Sequence, residues 1–126
     1  MPHLTLEYSN NLVEQVDFDK LFRRIHRVLA EFNAIQLSEI KSRAIPYDQY
    51  QIGDGSPQRI FIHLTVAVLD TRPLAEQKQI SELMLSILGE EFARSYRERP
   101  CDITVEIRPI CQQTYGKMMN SIVPFE

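Results

Sequence analysis

Apolar residues in this chain follow two spacings that take turns along the sequence. Near the start Leu4, Leu6 and Tyr8 fall at every second position, with His3, Thr5 and Glu7 between them. A period of two predicts a strand with one buried face. Ser9-Asn10-Asn11 marks a turn, and Asp17 is suited to cap a helix. Phe18, Leu21, Phe22, Ile25, Val28, Leu29 and Phe32 then follow i, i+3, i+4, i+7 spacing. That pattern predicts an amphipathic helix. Ile40 to Pro46 reads as a second strand, with Lys41 and Arg43 on the same side of it. Within Tyr47 to Gln58, Gly53-Asp54-Gly55-Ser56-Pro57 has the composition of a loop or hairpin tip.

The order then repeats. Arg59 to Leu69 is rich in β-branched and aromatic residues and predicts a buried strand. Asp70-Thr71-Arg72-Pro73 predicts a helix start, with Pro73 in the first turn, where its missing N–H costs nothing. Leu74, Ile80, Leu83, Met84, Ile87, Leu88 and Phe92 give a second amphipathic helix ending near Arg97, and Pro100 closes it. Ile103, Val105 and Ile107 alternate through a last strand, Cys101 to Pro109, and the tail from Ile110 has no clear period. The expected architecture is α/β. Two tandem β-α-β units, residues 1–58 and 59–126 of a single domain, form a four-stranded sheet with two helices on one face. Because Arg59 to Leu69 is apolar at nearly every position, the uncovered sheet face is expected to be apolar too, which points to an oligomer.

Bulk composition narrows the function classes. At 126 residues, 44% hydrophobic and 25% charged, the chain is an ordinary globular protein of one domain. A net charge of −3 argues against nucleic acid or an acidic membrane surface as partner. No apolar run approaches the ~18 residues of a membrane span, and the start lacks the pattern of a signal peptide. Cys101 and Cys111 read as free thiols in a reducing cytoplasm. There is no CxxC pair or His/Cys cluster for a metal, no Walker motif and no GxGxxG.

Against that background the opening Met1-Pro2-His3 carries the most chemical information. A small second residue lets the initiator Met1 be removed, leaving a secondary amine on a rigid ring. An ordinary α-amino group titrates at about 7.7–8.0. Burial and nearby cations lower that value toward neutrality, where a general base works best. Pro2 opens a strand and needs no ladder N–H there, so the terminus is expected to be tied down.

The residues PHLTLEYSNNL at the start, IKSRA at 40–44, DG at 54–55 and FIHLTVAVLDTRP at 61–73, with the repeated β-α-β layout, resemble the 5-carboxymethyl-2-hydroxymuconate isomerases of the tautomerase superfamily. The resemblance runs over essentially the whole chain. It implies a homotrimer whose mature chain starts at proline and which isomerises small di- or tricarboxylate enols without metal or cofactor. Carried over, Pro2 is the catalytic base and then the acid, moving a proton between carbons of a dienol or unsaturated ketone. Arg72 matches the family arginine at the opening of the second helix. Lys41 stands where an arginine is expected; lysine is a point charge, so Arg43 on the same face is the alternative source of a bidentate fork. The substrate implied is 5-carboxymethyl-2-hydroxymuconate, in homoprotocatechuate breakdown. Another proline-dependent reaction on a small carboxylate, or a non-catalytic trimeric carboxylate binder with Met1 retained, remain the alternatives.

Other polar residues have plainer readings. His63, inside an apolar strand, is expected to be a hydrogen-bonded core histidine, and His26 to lie at the edge of the first helix. His3 is expected to be structural, and Glu7 to bond a neighbouring strand or subunit. Tyr47, Tyr50 and Phe61 either wall a pocket or pack. Lys117 and Asn120 are candidates to complete a site across a subunit interface.

Overall fold

The computed structural model describes residues 1–120 and 122. Seven elements follow in chain order: β1 His3–Ser9, α1 Phe18–Leu29, β2 Lys41–Tyr47, β3 Ile60–Leu69, α2 Leu74–Glu91, α3 Ala93–Glu98 and β4 Cys101–Ile110. The sheet order is β2-β1-β3-β4. β1 runs parallel to β2, β3 runs parallel to β4, and the two pairs meet antiparallel between β1 and β3. Each half is therefore a parallel β-α-β unit, as the repeated pattern predicts.

Strand parity sorts the side chains into two faces. Leu4 and Leu6 of β1, with Ile60, Ile62, Leu64, Val66 and Val68 of β3, are almost fully buried. They pack with Leu21, Ile25 and Leu29 of α1 and Ile80, Met84 and Leu88 of α2 in one continuous core. Asp17 caps α1 as its position suggests, its carboxylate accepting from the Lys20 N–H at 3.1 Å.

The uncovered face departs from expectation. Register places His3, Thr5 and Glu7 beside Lys41, Arg43 and Ile45 on one flank and beside Ala67, Thr65 and His63 on the other. This face is polar and half-buried. The apolar run of β3 hides an alternation in which every inward position is aliphatic while outward ones are Phe61, His63, Thr65 and Ala67. An exposed apolar face is thus no ground for an oligomer here.

Two helix boundaries also differ. Pro73 is the N-cap of α2, extended at ψ 146°, and not part of its first turn. The second helix breaks at Phe92, whose φ of −107° and ψ of 29° leave the helical region. Beyond the break, buried Ser95 draws α3 onto the segment after β1: its hydroxyl donates to Glu14 Oε1 at 2.5 Å and accepts from the Val13 N–H at 3.0 Å. Cys101 and Cys111 are free thiols. Among the described residues no helix is long and apolar enough to cross a membrane, and no cluster of His, Cys, Asp and Glu is suited to a metal ion.

Candidate active site

Residue 2 is anchored where β1 begins. The Lys41 N–H donates to the Pro2 carbonyl at 3.2 Å, so the terminus is stitched to the start of β2. Pro2 has the parity of Leu4 and is buried. It lines a cavity of about 220 Å³ together with Ala34, Leu69, Arg72 and Glu76. The loop after α1, the end of β3 and the start of α2 supply the other walls.

Arg72 reaches this cavity because the chain turns sharply there. Its N–H donates to the Leu69 carbonyl at 3.2 Å, and Pro73 then opens α2. The first N–H groups of a helix have no intrahelical acceptor, so the local field favours an anion. The guanidinium is held from two sides: Nη1 donates to Glu76 Oε1 at 3.2 Å and Nη2 to the Asn33 carbonyl at 3.0 Å. Asn33 is presented by a turn whose next residue, Ala34, has φ +64°. The Arg72 side chain is only 13% exposed.

Lys41 and Arg43 lie on the other face of the sheet. Lys41 Nζ donates to the Glu39 carbonyl at 3.0 Å, and Arg43 Nη2 lies 3.3 Å from His3 Nδ1. With Nδ1 accepting from Arg43, His3 carries its proton on Nε2 and donates to the Tyr115 hydroxyl at 3.1 Å. Burial, then Arg43, Lys41 and the amino terminus, pull His3 below the usual histidine range. His3, Lys41, Tyr115 and Lys117 line a second cavity of about 450 Å³. The structure thus joins Pro2 with Arg72, and Lys41 with His3, while Arg43 lines neither cavity and reaches the second through His3.

The amino terminus borders the first of these cavities. The Met1 ammonium donates to the Glu39 carbonyl at 3.2 Å and lies 3.6 Å from Glu39 Oε2. Burial lowers its pKa; Glu39 opposes that effect, while Lys41 and Lys117 add to it. With Met1 attached, the Pro2 nitrogen is a tertiary amide and has no basicity. Glu39 also accepts from Lys117 Nζ at 2.7 Å, so the tail lysine pairs within its own chain. Asn120 accepts from the Ile122 N–H at 3.1 Å.

The remaining polar residues settle as follows. His63 is hydrogen-bonded, to Thr104 Oγ1 at 2.7 Å and Glu106 Oε1 at 3.1 Å, but on the uncovered face and not in the core. His26 Nε2 pairs with Ser42 Oγ at 2.7 Å, tying the edge of α1 to β2. Glu7 accepts from the Tyr47 hydroxyl across the β1–β2 pair. Tyr47 and Tyr50 stack around Phe61, with centroids 6.2 and 6.0 Å from it. That cluster packs at the far end of β1 from Pro2. Glu76, Glu39, Asn33 and Tyr115 escaped the sequence reading. Glu76 had a signal, since it lies one helical turn from Arg72; the other three did not.

Comparison with known proteins agrees with this architecture. The family model described as 5-carboxymethyl-2-hydroxymuconate isomerase matches residues 2–123. The chain belongs to that family. It is 28% identical over 110 residues to the 5-carboxymethyl-2-hydroxymuconate Delta-isomerase of Escherichia coli, covering 87% of each chain. A 5-carboxymethyl-2-hydroxymuconate isomerase from Deinococcus radiodurans superposes with a TM-score of 0.86 at 27% identity, over 94% of this chain and 90% of that one. A fused 4-OT described as a wild-type symmetric trimer shares the fold, with a TM-score of 0.70 at 12% identity over 91% and 90% of the two chains. The tautomerase-type resemblance seen in the sequence therefore holds, and the protein is an isomerase.

Proposed function

We propose that the chain, processed to begin at Pro2, isomerises 5-carboxymethyl-2-hydroxymuconate in homoprotocatechuate breakdown. One observation carries the reading: Pro2 and Arg72, far apart in sequence, wall the same small cavity. The prolyl amine accepts a proton at one position of the dienol and returns it at another, so atoms and electrons balance within the substrate. Charge built on the carbonyl oxygen meets the Arg72 guanidinium and the first N–H groups of α2. Lys41, with Arg43 acting beside His3, holds the substrate's further carboxylates. No group outside the chain is needed for this proton shift. Family membership favours this reading over a non-catalytic carboxylate binder.

The same reading includes a single-domain cytoplasmic protein assembled as a homotrimer. The symmetric trimer named for a structural neighbour supports that assembly, and the polar uncovered face offers Glu106, Arg108 and His63 to a neighbouring copy.

The test is an ultraviolet assay of 5-carboxymethyl-2-hydroxymuconate isomerisation by protein whose mass confirms a free Pro2, alongside Pro2→Ala. Turnover is expected to fall by up to about 10²-fold in the variant, which keeps a terminal amine but loses the rigid ring that fixes its position. Equal turnover by the two proteins overturns the role of Pro2. Absence of turnover with Met1 verifiably gone overturns the substrate and leaves another proline-dependent reaction on a small carboxylate.

A further inference from the structure

We propose that Glu76 is a positioning residue for Arg72, one that aims the guanidinium while withholding part of its charge from a resting anion. The inference rests on the proposed role of Arg72 as the group that meets the substrate's developing negative charge. Arg72 stands just before α2 and is fixed through both its backbone groups and both arms of its fork. Its N–H donates to the Leu69 carbonyl at 3.2 Å, and its own carbonyl accepts from Gln77 Nε2 at 2.9 Å. Nη1 donates to Glu76 Oε1 at 3.2 Å and Nη2 to the Asn33 carbonyl at 3.0 Å. Met1 takes part in none of these contacts, so they belong to the processed chain as well.

A carboxylate is a costly neighbour for an anion site. Arg72 and Glu76 both line the cavity with Pro2, and negative charge there opposes the entry of an anion. Glu76 is the acidic residue in the first turn of α2, where the helix field favours it. An acid turned to solvent would gain the same field, yet Glu76 is turned to the nearly buried Arg72. A guanidinium carries its N–H donors in one plane. Engaging one arm with a carboxylate and the other with a carbonyl fixes that plane, so the donors left over keep one direction. The Asn33 carbonyl is neutral, and of the two partners Glu76 alone reduces the positive charge that a ligand meets. An aimed donor acts on charge that develops in the transition state and raises kcat. The charge of Glu76 is felt by a bound anion throughout, and weakens its binding. Aim and charge therefore pull in opposite directions, and substitution separates them.

Glu76→Gln keeps the length and an acceptor oxygen but removes the charge. Glu76→Asp keeps the charge but is one methylene short of the fork. Both are made in full-length chain with Met1 removed, beside wild type and Arg72→Ala. Each protein is titrated calorimetrically with adipate, an unreactive dicarboxylate, and its isomerisation kinetics are measured. Glu76→Gln is expected to bind adipate about three- to tenfold tighter than wild type, and Glu76→Asp within about twofold of it. In Glu76→Asp kcat is expected to fall about tenfold, and in Glu76→Gln by less. A merely structural pair would lower affinity and kcat together in both variants, in step with the melting temperature. Adipate bound no tighter by Glu76→Gln than by wild type, or a wild-type kcat in Glu76→Asp, overturns the proposal. An adipate affinity that Arg72→Ala leaves unchanged overturns Arg72 as the partner of the anion. The expected adipate affinities without turnover by any of the proteins uphold the control that Glu76 exerts on the cavity and overturn the proposed substrate.

Discussion

Replacing Arg72 by alanine tests the site most directly, because its expected cost divides into two separately measured parts. In the resting protein the guanidinium donates to Glu76 and to the Asn33 carbonyl, with the arginine 13% and the glutamate 33% exposed. Losing hydrogen bonds to a charged group costs about 1.5–3 kcal/mol each where both partners are dry. Water reaches Glu76 once the guanidinium is gone, so about 1–2 kcal/mol is a fair total. That corresponds to a melting point lower by roughly 4–8 °C in a domain of this size, short of unfolding at assay temperature. The catalytic loss expected from the proposed role is larger. Removing one preorganised donor to a developing oxyanion costs about 10²–10³ in rate. Steady-state kinetics and thermal melting on Arg72→Ala therefore report different magnitudes. If Arg72 stabilises the enolate, kcat and kcat/KM fall together; if it only grips a ground-state carboxylate, KM rises alone. Arg72→Lys keeps the charge without the fork and is expected to recover only part of the loss. A kcat/KM for Arg72→Ala within threefold of the parent, in a protein that still melts cooperatively, refutes the assignment.

Ser95→Ala strips the buried hydroxyl that serves both Glu14 and the Val13 N–H, and should cost about 1–3 kcal/mol by denaturant unfolding. Burial pushes the Glu14 carboxyl up, but the bonds from Ser95 and nearby backbone N–H groups outweigh it and hold the group below its ordinary 4.5. A carboxylate lowered in the folded state stabilises the fold above its unfolded pKa and loses that effect as pH falls through the folded one. Wild type should therefore lose stability progressively below about pH 4.5, and Ser95→Ala should flatten that acid limb; parallel limbs would count against it. Ala34→Gly relieves a φ of +64°, and is expected to raise stability by about 0.5–1 kcal/mol net of glycine's greater chain entropy, read as a higher melting point.

The elements were legible because both periods are strong where burial is complete. Leu4 and Leu6 announce β1, and Leu21, Ile25 and Leu29 announce α1, since each stripe has one dry side. Pattern failed where one face carries amphipathic residues. In β3 the outward His63, Thr65 and Ala67 tolerate half-burial and look continuous with an aliphatic core, so the alternation was hidden. The break at Phe92 was invisible for a related reason: Phe92 is fully buried and fits the helical stripe, while the force that turns the chain comes from Ser95 and distant Glu14. At the site, Pro2 and Arg72 were readable as residue types at chain-defined positions. Glu39 and Tyr115 were not, because their contacts arise from the β1–β2 pairing and the return of the tail, which no local spacing encodes.

The same topology bears on the proposed role of the terminal amine. Alternation along β1 sends residue 2 toward the helix face with Leu4, and residue 3 toward the open face with Thr5. A side chain within a strand can serve only one of those faces. The cations are divided between them: Arg72 stands at the start of α2 on the helix side, and Lys41 and Arg43 flank His3 on the other. On the proposed reading, a substrate bearing carboxylates at both ends spans that division while its reacting atoms meet one base. Pro2 itself lines the cavity of Arg72 and not the one lined by His3 and Lys41. Under the proposed mechanism, retaining Met1 before Pro2 abolishes catalysis by converting the amine to an amide, and the same ultraviolet assay on chain whose mass shows Met1 attached checks this; turnover equal to that of the processed chain refutes the amine as base.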